Sequence, residues 1–305
     1  MSSGIVVLRA LDGSNPLAFL AALGTLRLLH RSEPQAGVQM CWERLNGSWR
    51  PKLRGLKVDE NELCELLMRA SWAPVERFES IGKNITVPKE AFRPFVEQAH
   101  STATPQDRRA ADFAAAFGCE VCEDEKKGRI EYTDLCFITG SGHQDFIGTI
   151  AALEKKVTSE HLRDALFGEW REDDGLSMRW NPSDAAEYAL RWGNPGQEGA
   201  RAVWGANRLA AEALPYFPTM PAKLGLQTTG FERRDRQDEF SWPIWSRFAS
   251  SDTVRSLMSY GELQKAKPGR DGLLAIGIEQ VYRAQRARIG QGANFKVSFR
   301  PARVV

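Results

Sequence analysis

The sequence is poor in the residues that build disulfide frameworks and metal clusters. Its 305 residues include only five cysteines and four histidines, unevenly placed. Neither a disulfide-stapled domain nor a histidine-rich metal cluster therefore organises the fold. The first residues lack a basic segment followed by a long apolar core, and no apolar run approaches the roughly 18 residues of a membrane span. We accordingly expect a reducing cytoplasm and no membrane partner.

Motifs that mark common catalytic and nucleotide sites are also missing. The chain has no GxxxxGK[ST] phosphate loop, no GxGxxG fingerprint, no G-x-S-x-G elbow and no H-E-x-x-H motif. We therefore expect no cofactor and a protein that is not an enzyme. A hydrolase using His143 and Asp145 is the alternative, because a histidine beside a carboxylate can transfer protons.

The chain does contain enough apolar residues, 42% of the total, to bury a large core. No linker rich in Gly, Pro and Ser divides it, which predicts one compact domain over residues 1–305. A subdivision would separate a helical and hairpin half, 1–130, from a second half, 131–305. Because helix-type apolar spacing dominates, we expect an α+β fold that is mainly helical, with short mixed or antiparallel strands.

Local signals predict several elements. A proline followed by regularly spaced leucines predicts a helix over 16–29, in which Gly24 indicates a close backbone contact. Asn46 and Gly47 predict the turn of a hairpin, with Trp42 and Trp49 paired across it. Further helices are predicted over 60–71, 88–99, 105–117, 159–167, 184–190 and 203–214.

A glycine-rich turn is the most suggestive stretch of the chain. Residues 135–153 read LCFITGSGHQDFIGTIAAL, an apolar segment, a tight turn and an amphipathic helix. Backbone amides at such a helix start can bind an anion. His143 and Gln144 add hydrogen-bonding side chains at the same corner. We interpret the turn as one wall of a nucleic-acid or subunit contact.

Two Arg-Trp pairs follow, Arg179-Trp180 and Arg191-Trp192, each with Asn-Pro within three residues. Arginine beside indole can neutralise phosphates and stack on bases, as in proteins that bind single strands. The alternative carries equal weight: both tryptophans belong to the core, and the arginines cap helix ends.

The helix predicted over 203–214 carries two further candidates near its start. Asn207 and Arg208 have the chemistry to contact base edges, as does Gln144. From that position we expect them to reach towards the same face as the glycine-rich turn.

The C-terminal segment is strongly basic. Residues 265–305 contain nine basic and two acidic residues, a local charge of +7 in a chain whose net charge is +2. Such a segment is typical of contact with phosphate backbones or an acidic partner, whereas the alternative is a solvated strand face. Residues 276–289 are predicted to form an exposed edge strand with arginines on both faces. The candidate contacts are Arg283, Arg286, Arg288 and Arg300.

Cys119 and Cys122 have the C-x2-C spacing of a zinc knuckle. Cys136 and His143 downstream are candidate third and fourth ligands. Because their spacing is not a standard one, the pattern favours ordinary thiols, and zinc is the weaker alternative.

Three stretches resemble a known family. LDGSNPLAFLAALGTLRLL, DLCFITGSGHQDF, and VWGANRLAAEALPYFP followed by LQTTGF are similar to proteins encoded with type I-G (formerly I-U) CRISPR systems. Within that group they resemble the large-subunit-like components of the Cascade effector, which take part in antiviral defence.

The resemblance implies a noncatalytic, RNA-guided role. Such a subunit would lie at the foot of a crRNA-containing complex with backbone subunits, read a short motif (the PAM) in double-stranded target DNA, and help to open the duplex. A protein-interaction scaffold that docks the helicase-nuclease or a neighbouring subunit is the alternative.

Overall fold

The computed structural model describes residues 4–138, 145–182, 201–223, 225–289 and 296–305. Those residues form an α+β fold with nine α-helices and fifteen β-strands, 39% helix and 27% strand. The prediction of a mainly helical chain is therefore wrong. Many strands are only two to four residues long, so they are too short to show an alternating apolar pattern in the sequence.

The described helices include the six segments predicted at 16–29, 60–71, 88–99, 105–117, 159–167 and 203–214, with shifted ends. The helix predicted over 184–190 lies outside the described residues. None of the helices that the structure describes is long and apolar enough to span a membrane. The helices are α1 Pro16–Ser32, α2 Glu60–Arg69, α3 Lys89–Ser101, α4 Arg109–Phe117, α5 Phe146–Lys156, α6 Ser159–Leu166, α7 Trp204–Ala211, α8 Ser251–Met258 and α9 Arg270–Ala275.

The strands, all paired in antiparallel fashion where described, form two larger sheets and three two-stranded ribbons. Sheet one has the order β1-β3-β2-β12. Sheet two has the order β10-β11-β13-β14, and β15 also pairs with β13. The strands are β1 Ile5–Val7, β2 Gln39–Leu45, β3 Ser48–Arg54, β4 Gly118–Asp124, β5 Arg129–Tyr132, β6 Asp173–Asp174, β7 Arg201–Ala202, β8 Thr219–Ala222, β9 Gly225–Thr228, β10 Phe231–Arg234, β11 Gln237–Trp245, β12 Ala249–Ser250, β13 Ile278–Ile289, β14 Lys296–Phe299 and β15 Arg303–Val304.

Helix α1 is the central element of the main core. Nearly all of its residues are buried, and Phe19 contacts the rings of Trp42, Trp242 and Trp245 from the two larger sheets. The helix packs directly against α7. The main core draws its residues from both halves of the chain, from Val6 to Phe299.

The hairpin β2–β3 has the predicted turn, with Asn46 and Gly47 both at positive φ. Its register differs from the expectation, since Trp42 lies opposite Pro51 and Trp49 opposite Arg44. The predicted tryptophan pair is therefore wrong. The two-residue turn fixes which residues of β2 and β3 face each other, and Trp49 lies two positions away from the residue opposite Trp42.

Strand β13 is not an edge strand, which corrects the expectation for residues 276–289. It pairs with β11 on one side and with β14 and β15 on the other. Its arginines on two faces indicated solvent on both, but Arg283 on one face and Ala284 on the other are both buried. Pro243 of β11, expected at an edge or a bulge, lies beyond the end of β10 and beside a bulge at Ile244 and Trp245.

Candidate functional site

Arg286 lies near the far end of β13, where it contacts a second segment of the chain. Its guanidinium donates a hydrogen bond to the carbonyl of Cys136 at 3.2 Å and lies over the Phe137 ring, 5.3 Å from the centroid. Phe137 in turn packs edge-on against Phe299 of β14, with 4.7 Å between centroids. The segment before the glycine-rich turn is thus fixed to the sheet.

A third segment, Arg179 to Asn181, reaches the same place. The Ser298 hydroxyl of β14 lies 3.2 Å from the carbonyl oxygens of both Arg179 and Asn181. Trp180 donates its indole N–H to the carbonyl of Leu135 at 2.9 Å. We call the place where these three segments meet the arginine corner, and define it by Arg286, Arg288, Asp134, Phe137 and Asp238.

Residues 139–144, 183–200 and 290–295 lie outside the described residues. Four residues predicted to bind nucleic acid fall in the first two of these stretches and lie outside the described residues: His143, Gln144, Arg191 and Trp192.

Two carboxylates face Arg286 at the corner. Its Nη1 atom lies 3.6 Å from an oxygen of Asp238 and 3.9 Å from one of Asp134. Burial raises the pKa of Asp134 to about 6; Arg286 opposes this effect, and Asp238 and Glu131 add to it. Both ion pairs are looser than a bidentate contact, so Arg286 keeps donor capacity for another acceptor.

Arg288 and Arg300 are exposed. Arg288 follows Arg286 by two positions and points to the same face of β13. Arg300 directly follows β14, and its backbone N–H donates to the carbonyl of Gln285 at 2.9 Å. Arg286 is partly exposed. Among the described residues that were predicted to bind nucleic acid, Arg286, Arg288 and Arg300 are the arginines that a ligand in solution can reach.

The first Arg-Trp pair belongs to the interior, which corrects its prediction as a base-stacking pair. Trp180 is fully buried and Arg179 is 6% exposed. Arg179 has a positive φ of 67°, so the backbone turns there and places the indole in the core. For this pair the structure supports the alternative that the tryptophan is a core residue.

Asn207 and Arg208 are also buried, so they cannot contact base edges. The Asn207 side chain accepts a hydrogen bond from the Met178 N–H and donates one to the Val203 carbonyl. Arg208 donates to Glu212 at 3.0 Å and stacks on Trp72, 4.0 Å from its ring centroid. Packing of α7 against α1 turns both side chains inward.

A buried ion network surrounds Glu212. This fully buried carboxylate accepts hydrogen bonds from Arg208, from Arg27 at 3.2 Å and from the Ala73 N–H at 2.6 Å. Arg27 also pairs with Asp112 at 3.3 Å. Sequence reasoning missed this network; the i,i+4 spacing of Arg208 and Glu212 is the signal that indicates its first contact.

Arg283 has a structural role, which corrects its prediction as a DNA contact. The side chain is 2% exposed, donates to the Ser241 hydroxyl at 2.7 Å, and donates to the carbonyls of Leu263 and Lys265. Burial lowers the pKa of its guanidinium. Arg283 therefore holds the segment around residues 261–265 on one face of sheet two.

The three candidate zinc-binding cysteines do not form one cluster. Cys136 is fully buried, donates its thiol to the Ile138 carbonyl at 3.2 Å, and has its pKa raised by burial to about 12. Cys119 and Cys122 lie on β4. Within the described ranges, no group of three or more His, Cys, Asp or Glu residues could hold a metal ion.

Two local arrangements bear on the hydrolase alternative, although His143 itself lies outside the described residues. Asp145 is the N-cap residue of α5, and one of its carboxylate oxygens accepts a hydrogen bond from Asn84 at 2.6 Å. His161 lies 2.7 Å from the Thr158 hydroxyl and 3.5 Å from Asp173. However, the Thr158 N–H donates to the same ring nitrogen of His161, which makes this contact a capping box at the start of α6.

No family model, curated protein or solved structure matches the chain.

Proposed function

We propose that this chain is a noncatalytic subunit of an RNA-guided type I CRISPR effector that contacts target DNA near the recognition motif and helps to open the duplex. The type of complex follows from the resemblance of three sequence stretches. The observation that supports a DNA contact is the arginine corner, where Arg286 is partly exposed and Arg288 is exposed, together with the exposed Arg300 directly after β14.

Most described residues of the stretches that carry the resemblance lie in the interior. The first contains α1 and the third contains α7, which pack against each other. The second supplies Leu135, whose carbonyl accepts the Trp180 indole N–H. These residues support a shared fold, so among the described residues a DNA contact has to come from side chains outside the three stretches.

Phosphate contact fits the described surface better than base readout. The described candidates with base-reading or stacking chemistry, Trp180, Asn207 and Arg208, are buried. Exposed arginines bind phosphate oxygens through a planar set of donors without regard to sequence. In this proposal guide pairing supplies sequence specificity, and the corner grips the backbone.

Charge reversal at the corner tests the contact. We expect Arg288→Glu combined with Arg300→Glu to weaken binding of a target duplex by about tenfold or more in low salt and to flatten the salt dependence. Fluorescence anisotropy over a salt series measures both. Arg247→Glu is the matched control, because Arg247 is exposed and lies against Gly277. Gly277 precedes the N-terminal end of β13, which is the end opposite the corner.

An equal loss in the control and in the double variant would reject a local contact at the corner. A wild-type binding curve that does not respond to salt would reject an electrostatic contact altogether.

The scaffold alternative has its own supporting observation. Residues around a small second cluster of Leu263, Leu273, Ile278 and Val281 include three exposed apolar side chains. These are Tyr260 at 42%, Leu274 at 39% and Ile276 at 48% exposure. If this region docks a partner protein, Leu274→Asp should abolish co-purification of that partner while DNA affinity of the isolated chain stays unchanged.

A further inference from the structure

The β4–β5 hairpin contains a three-residue bulge. Cys119 lies opposite Glu131 and Glu123 lies opposite Ile130, which leaves residues 120–122 without a partner on β5. Because Glu131 and Ile130 are neighbours in sequence, Cys119 and Glu123 occupy consecutive rungs although they are four positions apart.

The bulge changes how the two cysteines of the C-x2-C pair face each other. In a regular strand Cys119 and Cys122 would point to opposite faces and stand about 10 Å apart. Here Glu123 shares the face of Ile130, so its neighbour Cys122 returns to the face that Glu131 and Cys119 share. Two cysteines on one face of a bulged strand can approach each other as a disulfide requires, which is a Cα separation of about 4.4–6.8 Å.

The two thiols are also neighbours. Burial raises the pKa of Cys122, and the nearby Cys119 thiol raises it further. Cys122 is 8% exposed whereas Cys119 is half-buried, so an external reagent reaches Cys119 first. The remaining cysteines, Cys41, Cys64 and Cys136, are buried.

We propose that Cys119 and Cys122 are a reversible dithiol–disulfide pair, a modification site for low-molecular-weight disulfides such as oxidised glutathione. The Cys119 thiolate attacks one sulfur of glutathione disulfide, and the other glutathione leaves as a thiolate. Cys122 then loses its proton and attacks the Cys119 sulfur, which releases the second glutathione. Two thiols of the chain are oxidised, and one external disulfide is reduced to two thiols.

The surroundings indicate a regulatory or protective modification and not an oxidoreductase centre. Catalytic C-x-x-C pairs lie at helix N-termini, which lower the thiol pKa, whereas this pair lies in a strand bulge. A structural zinc site needs four ligands, and the described part of the chain places no third ligand beside the two sulfurs. The proposal is independent of the DNA-binding role.

Alkylation mapping of the native full chain tests the pair. The protein is incubated with oxidised glutathione, quenched with acid, alkylated with N-ethylmaleimide under denaturing conditions and mapped by mass spectrometry. We expect the peptide with both cysteines to lose about 2 Da, the mass of two hydrogens, to carry no alkyl group, and to recover both thiols after dithiothreitol. The buried Cys41, Cys64 and Cys136 should stay reduced and serve as internal controls.

Single-cysteine variants separate the two steps. Cys122→Ser should stop at the mixed disulfide, so that a stable glutathione adduct accumulates on Cys119. Cys119→Ser should react at least about tenfold more slowly, because the remaining thiol is buried. A persistent adduct on Cys119 in the wild type would overturn the proposal, as would two thiols that remain free under conditions that modify Cys122→Ser.

Discussion

Glu212 pairs with two of the four buried arginines in the described part of the chain. Its carboxylate accepts hydrogen bonds from both Arg27 and Arg208, and all three side chains are buried. Removing one member of such a group leaves the others buried without a counter-ion, which costs more than the net contribution of the intact group. The network is therefore a constraint on the fold.

Glu212→Gln should lower the free energy of unfolding by about 3–5 kcal/mol, because Arg208 stays buried without its hydrogen-bonded carboxylate and Arg27 keeps only Asp112. Urea denaturation followed by circular dichroism measures the change. Glu43→Gln is the control, since Glu43 forms a surface pair with Lys52 and should matter by less than about 1 kcal/mol. Similar losses in the two variants would show that the interior network has no special role.

Asp134 should make stability depend on pH. Its pKa is about 6 in the folded chain against an ordinary value of 3.8. An acid with a raised pKa contributes stability that is fully present below its unfolded pKa and is lost as the pH rises through the folded pKa. The 28% of the side chain that stays exposed limits the size of this effect.

Relative to Asp134→Asn, we expect the wild type to lose about 1–3 kcal/mol of unfolding free energy between pH 4 and pH 8, mostly between pH 4 and pH 6. Denaturant titrations across that range measure the difference. Asp271→Asn, at an exposed site, should follow the wild-type profile. Parallel profiles for wild type and Asp134→Asn would contradict the raised pKa.

At the scale of elements, the contact between α1 and α7 holds the two halves of the main core together. Gly24 of α1 lies so close to α7 that an added Cβ would overlap the carbonyl of Leu209. Gly24→Ala should therefore force the helices apart and destabilise the chain by about 1–3 kcal/mol or more.

Gly272→Ala is the matched control for that prediction. Gly272 lies in helix α9 with open space around it, so alanine should be neutral or stabilise by up to about 1 kcal/mol. Thermal unfolding of both variants measures the contrast. A tolerated alanine at position 24 would mean that the two helices do not approach each other so closely.

Sequence reasoning recovered the elements whose signals are local. Pro16 and its leucines gave α1, the close contact at Gly24 is confirmed, and Asn46-Gly47 gave the turn of β2–β3. The interior position of β13 depends on β11, β14 and β15, which are distant in sequence or too short to recognise. Such long-range pairing leaves no local signal.

The same limit applies to the candidate site. Arginine, tryptophan and asparagine have the same chemistry whether they face DNA or the core, so Trp180, Asn207, Arg208 and Arg283 resembled contacts in the sequence. Their burial depends on partners such as Leu135 and Glu212 that only the tertiary fold brings together. Exposed positions such as Arg288 and Arg300 keep their predicted role as candidates.

At the scale of the whole molecule, the basic C-terminal segment is less basic at its surface than its composition indicates. Arg283 is buried, Arg303 pairs with Glu239, and Lys265 pairs with Glu262. After these three residues are set aside, few basic side chains of the segment remain exposed near the arginine corner. We therefore expect this chain to have a modest DNA affinity of its own, in keeping with the proposed role within a larger complex.

Co-purification tests that claim most directly. The tagged full-length chain is expressed together with the proteins and guide RNA of a type I-G effector, purified, and analysed for RNA and protein stoichiometry. We expect guide RNA and backbone subunits to purify with the chain in a fixed ratio. A chain that purifies alone, without RNA and without those subunits, would contradict it.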